Sequence, residues 1–139
     1  YGDTGIGKTF LSNCVAKELM DHGHSVIYFT AFQLFDILSK GVFEKDADAI
    51  AAHQNIFDCD LLIIDDLGTE LSNSFTTSQL FLCVNERILR RKSTIISTNL
   101  NLEQIAEIYS ERTLSRISSN YSFIKLFGDD IRIKKRLSK

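Results

Sequence analysis

Tyr1-Gly2-Asp3-Thr4-Gly5-Ile6-Gly7-Lys8-Thr9 contains the pattern GxxxxGKT in full, and its reading decides the fold. It is a phosphate-binding loop. The glycines allow positive φ angles and close backbone approach, so successive N–H groups converge on phosphate oxygens. The helix that begins near Lys8 adds its positive N-terminal end. In this pattern Lys8 reaches the β- and γ-phosphates, and the Thr9 hydroxyl coordinates Mg²⁺. The expected cradle comprises Gly2, Asp3, Thr4, Gly5, Ile6, Gly7, Lys8 and Thr9, with Phe10 beside it. The pattern also demands a context: a helix must follow, and a metal-binding acid must end a later strand.

Downstream, Phe10, Leu11, Cys14, Val15 and Leu19 recur at helical spacing, and Gly23 stands where a C-cap belongs, which predicts a helix over Phe10–Met20. Ser25–Thr30 is a short β-branched and aromatic run that reads as a buried parallel strand. His22 and His24 flank Gly23 without a third ligand nearby, so they read as a solvated turn rather than a metal pair. Ala31–Lys40 is a second amphipathic helix, with Phe32, Leu34, Phe35 and Leu38 as its apolar side and Gly41 as its stop. Glu44–Asp48 is charged, and Ala49–Phe57 reads as a third helix, with His53 an ordinary residue on it.

The second informative stretch is Asp60-Leu61-Leu62-Ile63-Ile64-Asp65-Asp66-Leu67-Gly68. Consecutive aliphatics make a strand buried on both faces, and two carboxylates stand at its C-terminal end, where parallel sheets bind ligands. Paired acids at the end of a buried strand are costly unless they meet a cation or water. Asp65 is therefore expected to serve the metal through water, and Asp66 to polarise an attacking water. Phe75–Arg91 reads as a long helix capped by Asn73 or Ser74, ending in the basic group Arg87, Arg90, Arg91 and Lys92. Cations suit a helix C-terminus, so this group reads as a solvated end ahead of a DNA site, though its residues, with the basic tail, are candidates for contact with DNA phosphates. Ser93–Thr98 is another buried strand, terminated by Asn99 as Asp65 terminates the earlier one. An amide there can hydrogen-bond both a γ-phosphate and an attacking water. Asn101 and Gln104 form a capping box for the helix Leu102–Tyr109. In the next helix, Glu111–Ser118, Arg112 and Arg116 share one face, as solvated charges or as groups facing a neighbouring subunit's nucleotide. Ser122–Phe127 is read as the last strand, before a basic tail.

The chain of 139 residues suits one domain, and a formal charge of −2 gives no global pull toward nucleic acid or anionic membrane. Cys14, Cys59 and Cys83 are odd in number, far apart and set among apolar residues, which predicts buried thiols in a reducing, cytoplasmic compartment. No apolar run approaches a membrane span's length. A phosphate loop leaves the end of a central strand, so that strand and anything upstream are expected to lie outside this stretch.

The order of motifs resembles the AAA+ ATPases, and within them the DnaC/DnaI-type helicase loaders and the IstB-type transposition helpers. The residues that carry the resemblance are GDTGIGKT at Gly2 to Thr9, LLIIDDLG at Leu61 to Gly68, Asn85 with Arg87, STN at Ser97 to Asn99, ERxxSR at Glu111 to Arg116 and GxDIR at Gly128 to Arg132. The resemblance implies a P-loop α/β fold with a doubly wound parallel sheet flanked by helices. It also implies that Asn99 is a first sensor, Arg116 an arginine finger with Arg112 beside it, and Arg132 a second sensor. Most of the family has Asp-Glu where this chain has Asp65-Asp66, which matches the loader subgroup and implies slow turnover. The implied activity is Mg·ATP hydrolysis in a ring or helical assembly that places a replicative helicase on single-stranded DNA, the helicase-binding region lying upstream. ATP is preferred over GTP because the guanine motif NKxD is missing. The rival readings are a transposase helper, a nucleotide-gated single-stranded DNA adaptor that barely hydrolyses, and a P-loop kinase.

Overall fold

The structure is a computed structural model that describes residues 1–2, 7–43, 46–68 and 73–126. Its elements run α1 (Lys8–Asp21), β1 (Val26–Thr30), α2 (Ala31–Phe43), α3 (Ala47–Asp58), β2 (Leu61–Leu67), α4 (Ser74–Leu89), β3 (Ser93–Thr98), α5 (Leu102–Tyr109) and α6 (Glu111–Asn120). The three strands are parallel in the order β1-β2-β3, with Val26 opposite Leu61 and Leu61 opposite Ser93. Side chains alternate across a strand. Leu61 and Ile63 therefore meet Ala16 and Leu19 of α1 on one face, whereas Leu62, Ile64 and Leu67 join the larger core under α2, α3, α4, α5 and α6. Helices on both faces of a parallel sheet make the α/β arrangement expected from the sequence.

Next to β3 the two ends of the described chain converge. The Gly2 amide donates to the Thr98 carbonyl at 3.2 Å, and Leu126 N–H donates to Tyr1 O at 2.9 Å, giving a single parallel bridge between Gly2 and Leu126. The strand expected over Ser122–Phe127 is thus reduced to that bridge; Ser122–Lys125 are irregular, and Phe127 lies outside the described residues.

On α1, Phe10 is 70% exposed, Leu11, Cys14 and Val15 are also exposed, Ser12 and Ala16 are buried, and Leu19 packs against Leu61 and Ile63. Leu11 and Val15 line a cavity of about 260 Å³ with Ile95 and Ile124. Two further expectations are corrected. Of the cysteines, only Cys59 and Cys83 are buried; burial raises both thiol pKa values, that of Cys83 to about 12. On α2, Phe32 is exposed and the helix continues through Gly41. Glycine is needed there because a Cβ would lie 2.5 Å from the His53 ring on α3.

The basic group after α4 also differs from its expected solvation. Arg87 is fully buried. Its guanidinium donates to the carbonyls of Ile56 (2.7 Å), Cys59 (3.0 Å) and Ser93 (2.6 Å) and to Thr94 Oγ1 (2.8 Å). These bonds tie the end of α3 and the start of β3 to α4. Around it, Arg90 and Arg91 are exposed, as expected of a solvated end, with Arg90 in surface pairs with Glu86 and Asp58; Lys92, half-buried, pairs with Asp60. Arg87 is unavailable for nucleic-acid phosphate. Capping follows the sequence: Asn73 with Thr76 opens α4, and Asn101 with Gln104 opens α5, each as a reciprocal box.

Candidate functional site

At the C-terminal end of the sheet, on the α1 face, side chains from α1, β1, β2 and β3 converge on Asp65. Gly7 adopts φ 96° immediately before α1, a conformation that glycine supplies without a Cβ penalty. The following residue, Lys8, directs Nζ to the Gly2 carbonyl at 2.8 Å and to Asn99 Oδ1 at 2.7 Å. Thr9 Oγ1 donates to Asp65 Oδ2 at 3.0 Å. The first turn of α1 is thereby joined to the ends of β2 and β3, the convergence that the motif spacing implied.

Asp65 is 3% exposed, and hydroxyls supply its hydrogen bonds: Thr9 and Tyr28 donate to Oδ2, and Ser97 donates to Oδ1. Burial pushes the carboxyl pKa up, but the Ser97, Tyr28 and Thr9 hydroxyls and the Asp66 amide outweigh it and hold the group below the ordinary aspartate value. The same environment raises the Tyr28 phenol: desolvation first, then its bond to Asp65 and the nearby charges of Asp65 and Asp66, keep it protonated and a donor.

Asp66 is set apart from Asp65 by the backbone. The β2–β3 register shifts between Ile64 and Leu67, and Asp66 has φ 57°. A bulge re-aims the extra residue, and aspartate tolerates the left-handed region better than most side chains do. Consequently Asp65 points into the buried hydroxyl cluster while Asp66 is exposed beside it. Its amide donates to Ser97 Oγ at 3.3 Å. Beyond the bulge, Gly68 has φ 103°, and a Cβ there would lie 2.6 Å from Leu100, so glycine fixes the exit toward the loop. Thr98 Oγ1 donates to the Leu67 carbonyl (2.6 Å) and accepts from the Leu100 amide (3.0 Å), fastening the segment that carries Asn99.

Lys8, Thr9, Asp65 and Asn99 are therefore brought together, with Asp66 alongside. Arg112 and Arg116 stand on α6, which packs on α4 and α5. The Arg112 guanidinium lies over the Phe81 ring, 3.8 Å from its centroid, and Arg116 is exposed. Phe10 follows Thr9 in the same turn but points into solvent. Asp3, Thr4, Gly5, Ile6 and Arg132 lie outside the described residues. Sequence reasoning passed over Tyr28 and did not give Ser97 a role of its own. The signal available for both was a hydroxyl on the face of a buried strand that, by alternation, is shared with Asp65.

The ligand-binding chemistry of the cluster suits Mg²⁺ with a phosphate ester. A hydroxyl and a carboxylate are hard oxygen donors, and an ammonium stands within reach of the same end of the sheet. No group of three or more His, Cys, Asp and Glu placed to hold a metal ion is present among the described residues. No helix among the described residues is long and apolar enough to cross a membrane.

Comparison with known proteins agrees with this geometry. The replicative helicase loader DnaC of Escherichia coli K12 is 23% identical over 129 residues, covering 93% of this chain and 53% of that protein. The chain thus spans about half the length of that relative. A crystal structure of the DnaC helicase loader superposes with a TM-score of 0.79 at 23% identity, over 91% of this chain and 75% of the other. The replication initiator DnaA bound to AMPPCP and single-stranded DNA gives 0.78 at 24% identity, over 99% and 43%. These neighbours establish the AAA+ P-loop fold. The sequence model of the family described as IstB-like ATP binding protein matches residues 1–138, and the chain belongs to that family.

Proposed function

We propose that this protein binds Mg·ATP at the Lys8–Thr9–Asp65–Asn99 cluster, hydrolyses it slowly, and acts as a replicative helicase loader in DNA replication. The observation that carries the reading is the convergence of Lys8 with Asn99 and of Thr9 with Asp65 at the C-terminal end of the parallel sheet. Lys8 and the N-terminus of α1 attract the phosphates. Thr9, with Asp65 behind it through water, holds Mg²⁺; when bound, the cation neutralises charge on the phosphate oxygens. Asn99 now accepts a hydrogen bond from Lys8. A γ-phosphate competes for that ammonium, and the Asn99 amide stands beside it to contact the phosphate and the water in line with it. Asp66, exposed beside the cluster, polarises that water. Arg116, exposed on α6, completes a neighbouring subunit's site in a ring or helical assembly, with Arg112 anchored beside it on Phe81.

The likeness to DnaC, a replicative helicase loader, supports the helicase as client, and the likeness to DnaA in complex with AMPPCP and single-stranded DNA supports contact with single-stranded DNA. A second reading, an ATPase helper of a transposase, is favoured by the family match itself. Two measurements test the proposal. Lys8→Ala should abolish binding of a fluorescent ATP analogue, and unchanged affinity would remove the phosphate-site assignment. Light scattering of the natural-length protein with its own organism's replicative helicase, with and without ATP, should yield a defined complex. Its absence under both conditions would transfer the client to a transposase.

A further inference from the structure

We propose that Tyr28 is a positioning residue for Asp65, and that its phenol sets how tightly the site holds a divalent cation without contributing to phosphate binding. The inference rests on the reading above that Asp65 serves Mg²⁺. Tyr28 of β1 lies opposite Ile63, on the α1 face, and reaches diagonally across the sheet to Asp65 Oδ2. The side chain is 37% exposed, so packing alone does not call for it; a phenylalanine would cover the same strand. What tyrosine adds is a hydroxyl aimed at a carboxylate that is almost entirely shielded from water.

The arrangement around Asp65 gives that hydroxyl a specific task. Donors on Oδ2 come from α1 (Thr9) and β1 (Tyr28), and the donor on Oδ1 comes from β3 (Ser97). Three elements therefore fix the carboxylate plane, and turning it breaks bonds at both oxygens. Thr9 can give a lone pair to a cation only while its O–H points elsewhere, and Asp65 Oδ2 is where it points. Tyr28 holds Oδ2 in that place from the opposite side. Without the phenol, Thr9 is the remaining hydroxyl described on Oδ2, and the carboxylate can swing out of register with the Thr9 hydroxyl and with metal-bound water. Lys8, by contrast, is directed by the Gly2 carbonyl and Asn99, on the other side of the cluster from β1. The phosphate and metal halves of the site are thus separable by substitution.

The test uses Tyr28→Phe and, as a second variant at the other oxygen, Ser97→Ala. Affinity for a fluorescent ATP analogue is measured in EDTA and across a Mg²⁺ series, and Mn²⁺ binding in the presence of ADP is followed by electron paramagnetic resonance. Loss of an outer-shell partner of this kind weakens metal affinity by about tenfold or more, so half-saturating Mg²⁺ and Mn²⁺ should rise by about that factor in both variants. Affinity in EDTA should stay at the wild-type value in Tyr28→Phe, while the thermal midpoint of the nucleotide-free protein falls modestly, by the loss of one hydrogen bond to a carboxylate. Unchanged metal half-saturation in Tyr28→Phe would overturn the inference while leaving the nucleotide site intact. A matching loss of affinity in EDTA would also overturn it, by showing that the phenol supports the fold rather than the metal. Wild-type protein whose affinity gains nothing from Mg²⁺ would remove the metal reading of Asp65, and the inference with it.

Discussion

Replacing Arg87 with alanine is the perturbation whose outcome the structure specifies most closely. The side chain is fully buried, and its acceptors are the carbonyls of Ile56, Cys59 and Ser93 and the Thr94 hydroxyl. Hydrogen bonds from a charged donor contribute about 1.5–3 kcal/mol each, so the four bonds together give about 6–12 kcal/mol before any relaxation. Water reaching the freed acceptors, and relief of the buried charge, reduce the expected loss to about 4 kcal/mol. A domain of this size retains about 5–15 kcal/mol in total, so the variant should sit near the edge of folding. Arg87→Lys keeps the experiment readable. A compact ammonium cannot span acceptors on α3, β3 and their connections as a planar fork does, so lysine should lose about 2–3 kcal/mol. Urea unfolding followed by circular dichroism measures both. A loss below about 1 kcal/mol in Arg87→Ala, typical of an exposed site, or wild-type stability in Arg87→Lys, would refute the claim that this guanidinium ties α3, α4 and β3 together.

Asp66→Asn should bind the ATP analogue normally and release no phosphate above background; unchanged turnover would move the catalytic acid to another residue. Gly41→Ala places a methyl against the His53 ring, 2.5 Å away before any relaxation, and should lower stability by about 1–3 kcal/mol, whereas a stabilised variant would show that α2 and α3 separate freely there. The depressed pKa of Asp65 predicts an acid limb to stability. The folded value lies below the unfolded value of about 3.9, so the stabilisation is complete above that pH and is lost as pH falls through the folded value. Urea midpoints measured from roughly pH 5 down to pH 2 should fall in wild type and fall less in Asp65→Asn; parallel curves would assign the acid limb to other carboxylates.

Much of the fold was legible because its signals are local. The helix after the phosphate loop, the aliphatic run Leu61–Ile64, the cap Asn73 and the capping pair Asn101–Gln104 can each be read within a few residues, and the structure places α1, β2, α4 and α5 within a few residues of their expected bounds. Helical spacing misread the end of α2. Apolar periodicity reports that a face is apolar, not what a glycine within the helix meets, and Gly41 proved to be a contact with His53 rather than a stop. The same limit hid the fate of Arg87, whose position near the end of an amphipathic helix looked solvated until α3 and β3 closed over it.

Contiguous patterns were enough to nominate the residues proposed for phosphate and metal chemistry, since the phosphate loop and the acid-ended strand can each be read along a few positions of the chain. Their partners came from the tertiary fold. Lys8 meets Asn99 across 91 positions and Tyr28 meets Asp65 across 37, because strand order, parallel register and the bulge at Asp65-Asp66 bring them to one end of the sheet. A side chain's identity fixes what it can donate, but pairing is fixed by where the backbone carries it, and that depends on every strand packed between.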